Sequence, residues 1–188
     1  MSSPPHHLLC LAGSLRSPSY SLATCKAVRD LAKHSVFSVE IMDPRELDLP
    51  MYVPDLELAD YDPEQQPSIE RLVGAYRKSH AMVWVSPTYH GTVSGVFKNM
   101  IDFAELLSGD DPPYFQGRPV GMISINDSTT FAAMRDCARE LRAWLAPTHI
   151  ELTAKDFADD LTVSNERSRK RIERLVGELA TFVQAHNR

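Results

Sequence analysis

Hydrophobic residues along this chain follow two patterns, short apolar runs and longer stretches with helical spacing. An apolar run of four to eight residues that ends at a turn residue is typical of a strand buried in a parallel sheet. One example is HLLCLA, which ends at Gly13. Including the segment 36–42, whose apolar and polar residues alternate, and a short last segment, five strands are predicted, at residues 7–12, 36–42, 81–86, 120–125 and 149–153.

Stretches with an apolar residue every three or four positions follow these runs. The first contains Leu22, Cys25, Val28 and Leu31, which fall on one face of a helix. The segment 43–67 is rich in Pro and Asp, lacks this spacing, and is predicted as a long surface loop. Helices are predicted from about residue 22 to 34, around residues 69–76, and over residues 96–107, 131–145 and 164–185.

The alternation of strands and helices predicts an α/β fold with a parallel sheet covered on both faces. A length of 188 residues suits one domain, so we expect a single domain over 1–188. Open sheets of this kind bind ligands beyond the carboxyl ends of their strands, where the strand order reverses. The loops after the first, third and fourth strands are therefore the expected binding loops.

Composition narrows the class of protein. With 20 Lys+Arg against 25 Asp+Glu, the formal charge of −5 gives no general attraction to nucleic acid or to a membrane surface. Three cysteines without close spacing form neither a disulfide framework nor a metal motif, which favours a reducing compartment. No apolar run approaches the roughly 20 residues of a membrane helix, and residues 1–5 lack the features of a signal peptide. We expect a cytoplasmic protein with no nucleic-acid or membrane partner and no metal site.

The loop after the first strand concentrates groups that bind phosphate. Four serine hydroxyls, one guanidinium and the free N–H groups of a helix N-terminus come together there, which suits a phosphate dianion. The alternative is that one serine merely caps the helix and Arg16 is solvated. Neither a Walker loop nor the dinucleotide-binding glycine pattern is present. The candidate residues are Ser14, Arg16, Ser19, Tyr20 and Ser21.

The loop after the third strand is rich in Pro, Gly and aromatic residues. A turn of this composition can present backbone N–H groups to a flat polar ring. His90 has two interpretations, a hydrogen bond to a ligand or a structural role in the turn. The candidate residues here are Pro87, Thr88, Tyr89, His90 and Gly91.

Together these segments resemble the signatures of the NADPH-dependent FMN reductases, small flavodoxin-like flavoproteins. The matching segments are GSLRSPSYS at 13–21 and SPTYHGTVSGVFKNMID at 86–102, with further similarity in LDLPMY at 47–52 and GRPV at 117–120. The resemblance spans nearly the whole chain. It implies a flavodoxin-like three-layer sandwich with a five-stranded parallel sheet in the order 2-1-3-4-5.

The resemblance also implies a cofactor and its contacts. FMN would have its phosphate in the first loop, its ring and ribityl chain on the second, and a third contact after the fourth strand. The residues of that third contact are Asn126, Asp127 and Ser128. Here the chain has NDSTT at 126–130 where the family often has a glycine pair. An aspartate near a reduced flavin is unfavourable unless its carboxylate points away.

The activity implied is hydride transfer from NADPH or NADH to bound FMN, and then transfer of electrons to a small-molecule acceptor such as a flavin, a quinone, an azo compound or a metal oxyanion. Because the flavin carries that chemistry, we assign no catalytic acid or base. The family's assemblies imply a homodimer or a homotetramer. Two alternatives stay open, a non-enzymatic flavodoxin-like electron carrier and a phospholigand-binding module that has lost flavin.

Several apolar residues have predicted places in the structure. Cys10, Cys25, Trp84 and Trp144 are expected in the core. Four further apolar residues lie in predicted loops, where they would cover the flavin, contact a neighbouring subunit or pack within the loop. These are Met51, Tyr52, Tyr114 and Phe115.

Overall fold

The computed structural model describes residues 6–186. Residues 1–5, where the sequence predicts no signal peptide, lie outside that range. Across the described part of the chain, no helix has the length and apolar character needed to span a membrane. The strands are β1 (His6–Ala12), β2 (Phe37–Met42), β3 (Ala81–Tyr89), β4 (Thr92–Val93), β5 (Pro119–Ile125) and β6 (Trp144–Leu152). The α-helices are α1 (Tyr20–Leu31), α2 (Pro44–Leu47), α3 (Gln66–Lys78), α4 (Gly95–Asp102), α5 (Thr130–Glu140) and α6 (Glu166–His186).

The sheet has the order β2-β1-β3-β5-β6, and all of these strands are parallel. The two-residue strand β4 is the addition to the predicted five, and it pairs antiparallel with the end of β3. Since β4 lies off the main path, the predicted order 2-1-3-4-5 is confirmed. The reversal of strand order places the ends of β1 and β3 side by side at the expected binding edge.

Helices cover both faces of the sheet, as the sequence predicts. Successive residues of β1 point to opposite faces, so Leu9 and Leu11 join one core cluster while Leu8 and Cys10 join the other. The first cluster packs against α3, α4 and α5, and the second packs against α1 and α6. Cys10, Cys25 and Trp84 are fully buried, which confirms their predicted core positions.

The structure corrects the boundary between the fourth predicted helix and the last strand. The helix ends at Glu140 instead of residue 145, and Arg142 takes a left-handed backbone conformation with φ of 60°. The chain turns there, and Trp144 begins β6 beside Pro119. Trp144 is 59% exposed on this edge strand, so its predicted core position is wrong.

Other predicted boundaries shift for local reasons. Pro87 does not end β3, because it lies opposite Ile125 of β5 and the last two residues of β3 pair with β4. The predicted helix over 96–107 is α4 followed by a 3-10 helix over Phe103–Leu107. The predicted loop over 43–67 contains α2 and a short 3-10 helix, Leu58–Asp60.

A histidine cluster lies at the amino-terminal edge of the sheet. The backbone N–H of His7 donates to His80 Nδ1 at 3.1 Å, and the His6 ring centroid lies 5.1 Å from that of His80. Burial of His80 lowers its pKa below the usual 6.5, and the neighbouring His6, His7 and Arg118 lower it further. The neutral ring is therefore the form that the fold stabilises.

We expect the free energy of unfolding to decrease as the pH falls below about 6.5, because the unfolded chain then binds a proton at His80 more readily than the folded protein does. His80→Gln should flatten this dependence between roughly pH 7 and pH 5. Urea unfolding at several pH values measures it. Replacing the exposed His34 by Gln is the control, and identical slopes for the wild type and His80→Gln would contradict the prediction.

Candidate functional site

Three loops meet at the carboxyl-terminal edge of the sheet. They follow β1, β3 and β5, which are neighbours in the sheet order. The loop from Gly13 to Ser19 joins β1 to α1, the turn at His90 and Gly91 joins β3 to β4, and residues 126–129 join β5 to α5. The structure thus brings together all three groups of residues that the sequence singles out.

Gly13 fixes the start of the first loop against the second. Its N–H donates to the carbonyl oxygen of Val85 at 2.7 Å, and its own carbonyl accepts from Ser94 Oγ at 2.6 Å. A Cβ added at Gly13 would lie 2.8 Å from that Val85 oxygen and 2.9 Å from Phe97 Cβ. The close approach of these elements therefore requires glycine.

The serines of the first loop have distinct roles. Ser19 is the N-cap of α1, and its Oγ accepts from Leu22 N at 3.2 Å. The buried Ser14 Oγ accepts from Arg16 N at 3.2 Å and shapes the loop. Ser21 is 1% exposed, and its Oγ has no hydrogen-bond partner within residues 6–186. The capping alternative thus holds for Ser19, while Ser21 keeps an unused hydroxyl in the first turn of α1.

Arg45 supports this loop, although no sequence motif singles it out. Its Nη1 donates to the carbonyl oxygen of Arg16 at 3.3 Å, and its Nη2 donates to Asp43 Oδ2 at 2.6 Å. Burial raises the pKa of the Asp43 carboxyl, but hydrogen bonds from Arg45 outweigh it and hold the pKa below its usual value. No local motif marks this contact, because Arg16 and Arg45 come together only when β1 and β2 pair.

The second loop is a tight hairpin turn. His90 and Gly91 have φ of 51° and 80°, the left-handed pair that suits a two-residue turn between antiparallel strands. The backbone of His90 therefore has the structural role that the sequence analysis left open, while its side chain is exposed. Tyr89, just before the turn, is 41% exposed. Ser86 Oγ accepts from Ser94 N at 3.1 Å and ties the base of the hairpin to α4.

A network of hydroxyls fixes the third loop. The carbonyl oxygen of Asp127 accepts hydrogen bonds from Ser124 Oγ and, at 2.7 Å, from Thr88 Oγ1. The buried Thr130 Oγ1 donates to Ser124 Oγ at 2.6 Å. Because Thr88 lies in β3 and Ser124 in β5, the network holds the second and third loops in one arrangement.

The carboxylate of Asp127 is held within its own turn. Its Oδ1 accepts from Thr129 N at 2.7 Å, and this hydrogen bond lowers the pKa of the carboxyl below its usual value. Asn126 has φ of 83°, and its N–H donates to the carbonyl oxygen of Leu152 at 2.8 Å. Polar side chains thus build a defined turn where the family often has glycines.

Thr130→Val should destabilise the fold by about 1–3 kcal/mol, because it removes the donor to a buried hydroxyl while keeping the shape of the side chain. Thr130→Ser keeps the hydroxyl and should recover most of this loss. Urea unfolding of the cofactor-free protein measures both. The control is Thr181→Val on the exposed side of α6, where a change within about 0.5 kcal/mol is expected. An equally small change for Thr130→Val would show that the network contributes no stability.

The four apolar residues of the predicted loops differ in burial and in contacts. Phe115 is fully buried against Tyr76 and Trp84, so it belongs to the core. Tyr114 Oη donates to Glu105. Met51 is 73% exposed, whereas the N–H of the adjacent Tyr52 donates to Asn99 Oδ1 at 2.8 Å. Of the four, Met51 is the one most available for contact with another molecule.

Several known proteins are similar to this chain in sequence. The chain is 30% identical over 185 residues to an FMN-dependent NADPH-azoreductase of Staphylococcus saprophyticus, with 94% of each chain covered. It is 32% identical over 139 residues to the NADPH-dependent FMN reductase ArsH of Rhizobium meliloti, covering 73% of this chain and 53% of that protein. The chain thus spans about half the length of that relative.

Solved structures give the same fold. The flavoenzyme FerB of Paracoccus denitrificans, an NAD(P)H:(acceptor) oxidoreductase, superposes with a TM-score of 0.77 at 23% identity, covering 96% of this chain and 98% of that one. Flavodoxin from Pseudomonas aeruginosa superposes with a TM-score of 0.59 at 13% identity, covering 92% of this chain and 98% of that one. The predicted flavodoxin-like fold is confirmed. Residues 7–158 match the sequence profile of the NADPH-dependent FMN reductase family. The chain belongs to that family.

Proposed function

We propose that this protein is an FMN-dependent oxidoreductase that takes hydride from NADPH or NADH and passes electrons to a small-molecule acceptor. One observation carries the proposal. Three neighbouring loops converge at the reversal of strand order, and the first of them leads into α1, where the buried Ser21 hydroxyl has no hydrogen-bond partner among the described residues. A dianionic phosphate at this helix N-terminus would give that hydroxyl a partner.

The first loop fits the phosphate of FMN. Ser14, Ser19, Tyr20 and Ser21 surround the start of α1, where free N–H groups and the helix dipole favour negative charge. Arg16 is exposed and its side chain has no carboxylate within salt-bridge distance among the described residues, so its guanidinium is available to a phosphate oxygen. Arg45 holds the Arg16 backbone and would position the loop without touching the ligand.

The second and third loops fit the rest of the cofactor. Residues from Pro87 to Gly91 would contact the ribityl chain and one edge of the ring, and Asn126, Asp127 and Ser128 would contact another edge. The Asp127 carboxylate is engaged by Thr129 N, which keeps its charge in the turn and reduces its conflict with a reduced flavin. The side chain of His90 would lie at the rim.

Bound FMN supplies the two-electron chemistry between a nicotinamide and an acceptor. The chain contributes position and surroundings, so no side chain needs to act as an acid or a base. Two large exposed apolar side chains lie in the site loops themselves, Leu15 at 61% exposure and Tyr89 at 41%. These favour a planar aromatic acceptor, such as a quinone or an azo compound, over a metal oxyanion. Contact with a second subunit in a homodimer or homotetramer would bury part of the same rim.

The core and the cysteines support the predicted domain organisation and compartment. Both core clusters share one sheet, which supports a single domain over residues 1–188. The buried free cysteines Cys10 and Cys25 suit a reducing, cytoplasmic setting.

Visible absorbance of the purified protein tests the function. We expect FMN to bind with a shifted flavin spectrum and to bleach on anaerobic addition of NADPH or NADH, with colour returning when a quinone or an azo dye is added. Failure to bind FMN would instead favour a phospholigand-binding module. Bound FMN that NADPH and NADH reduce only when a partner reductase is present would favour an electron carrier.

A further inference from the structure

We propose that a groove beside α1 is a second ligand site, which binds a small amphipathic organic anion independently of FMN. The groove has a volume of about 420 Å³, within the range of small-molecule sites. It lies between the outer face of α1 and the segment 160–163 that precedes α6. It shares Pro18 and Ser19 with the first loop, but no residue of the second or third loop lines it.

The walls of this groove are largely apolar. α1 contributes Leu22, Ala23 and Ala27, and the facing segment contributes Leu161 and Val163. The alanines leave space on a helix face that larger side chains would fill. This surface suits an aromatic or aliphatic body, whose burial supplies binding energy in proportion to its apolar area.

The charges at the rim favour an anion. Four cationic side chains line the groove against two carboxylates. Among the described residues, Lys26, Arg29 and Arg169 form no salt bridge, and the fourth cation, Arg45, is paired with Asp43. Both carboxylates have other partners, since Asp30 pairs with Lys33 at 3.0 Å and Asp160 accepts from Thr162 Oγ1 at 2.7 Å. The rim is therefore locally cationic in a chain whose formal charge is −5.

The wall opposite α1 is an ordered structure. Phe157 and Val163 form an antiparallel bridge, and the Phe157 ring packs 4.7 Å from the ring of Tyr20 at the start of α1. Between them, Leu161 has φ of 65°, a conformation that costs energy in a residue with a Cβ. The bridge and the ring contact hold the Leu161 side chain at the groove, so the site is formed before a ligand arrives.

The test is calorimetric titration of FMN-saturated protein with 2-naphthoate, an aromatic carboxylate. We expect one saturable site, and at least tenfold weaker binding of the uncharged analogue 2-naphthalenemethanol. The double variant Lys26→Gln/Arg169→Gln should also weaken 2-naphthoate at least tenfold. Both side chains are exposed, and the hydrogen bond that the variant removes, from Arg169 Nη1 to the carbonyl oxygen of Val163, is long at 3.4 Å, so the thermal midpoint should change little. The charge-matched control is Lys78→Gln/Arg135→Gln on α3 and α5, which should bind as the wild type does.

Several results would overturn the proposal. Absence of saturable binding to the wild type would remove the site. An equal loss in the control variant would show that net charge alone attracts the probe. Inorganic sulfate that binds as tightly as 2-naphthoate would show a simple anion contact with no role for the apolar walls. Displacement of FMN by 2-naphthoate would show that the probe binds the flavin site, whose existence the FMN titration establishes separately.

Discussion

Arg16→Ala is expected to weaken FMN binding about ten- to a hundredfold, because a lost hydrogen bond to a charged group costs roughly 1.5–3 kcal/mol. The guanidinium has no competing carboxylate among the described residues, so its binding energy is available to the phosphate. Arg16→Lys keeps the charge but loses the forked geometry, and its loss should be smaller. Quenching of flavin fluorescence measures both affinities.

Riboflavin, which lacks the phosphate, separates this role from a structural one. We expect Arg16→Ala to leave riboflavin affinity unchanged, while Arg135→Ala on the exposed side of α5 should affect neither ligand. Unchanged FMN affinity would refute the phosphate contact. An equal loss for riboflavin would show that Arg16 shapes the loop as a whole.

Gly13→Ala should destabilise the protein by about 1–3 kcal/mol, the usual effect of overpacking. The added Cβ would lie 2.8 Å from the Val85 carbonyl oxygen and 2.9 Å from Phe97 Cβ, and neither atom is the end of a flexible side chain. Relief would require β1, β3 or α4 to move. Since those elements position the first and second loops, the affinity for FMN should fall as well. Chemical unfolding and FMN titration of the same preparation measure the two effects.

Gly74→Ala is the matched control. Gly74 lies inside α3, and a Cβ there would meet no atom within 4 Å. This substitution should stabilise the protein by about 0.5–1 kcal/mol, because alanine loses less backbone entropy than glycine in a helix. If Gly13→Ala matched Gly74→Ala in stability and FMN affinity, the close packing at Gly13 would have no energetic importance.

The amino-acid sequence alone predicted the five main strands, the sheet covered on both faces and the three loops that converge at its carboxyl-terminal edge. A strand buried on both faces requires a continuous apolar run, and a helix buried on one face requires apolar residues at helical spacing. Both patterns can therefore be recognised in a short stretch of sequence. The residue types of the Ser19 cap and of the turn at His90 and Gly91 also suit their backbone conformations, but the sequence left both the capping serine and the role of His90 open.

The local pattern did not predict element boundaries that depend on pairing with strands distant in sequence. The apolar residues 131–145 suit a helix throughout, yet the last of them form β6, because they complete the sheet beside Pro119 and Val120. Trp144 is exposed for the same reason, since β6 lies at the edge of the sheet. Neither fact has a signature within the segment itself.

Tertiary structure alone decided how the site is held. Arg45 reaches the Arg16 backbone across 29 residues of sequence, and Thr88 reaches the Asp127 carbonyl across 39. It also decided that the hydroxyl of the buried Ser21 has no hydrogen-bond partner in the described part of the chain, and it placed α1 against the segment 160–163 to form the groove. A hydrogen bond or a cavity needs atoms at a fixed distance. Sequence supplies the chemical groups, but only the packing of the sheet and its helices sets that distance.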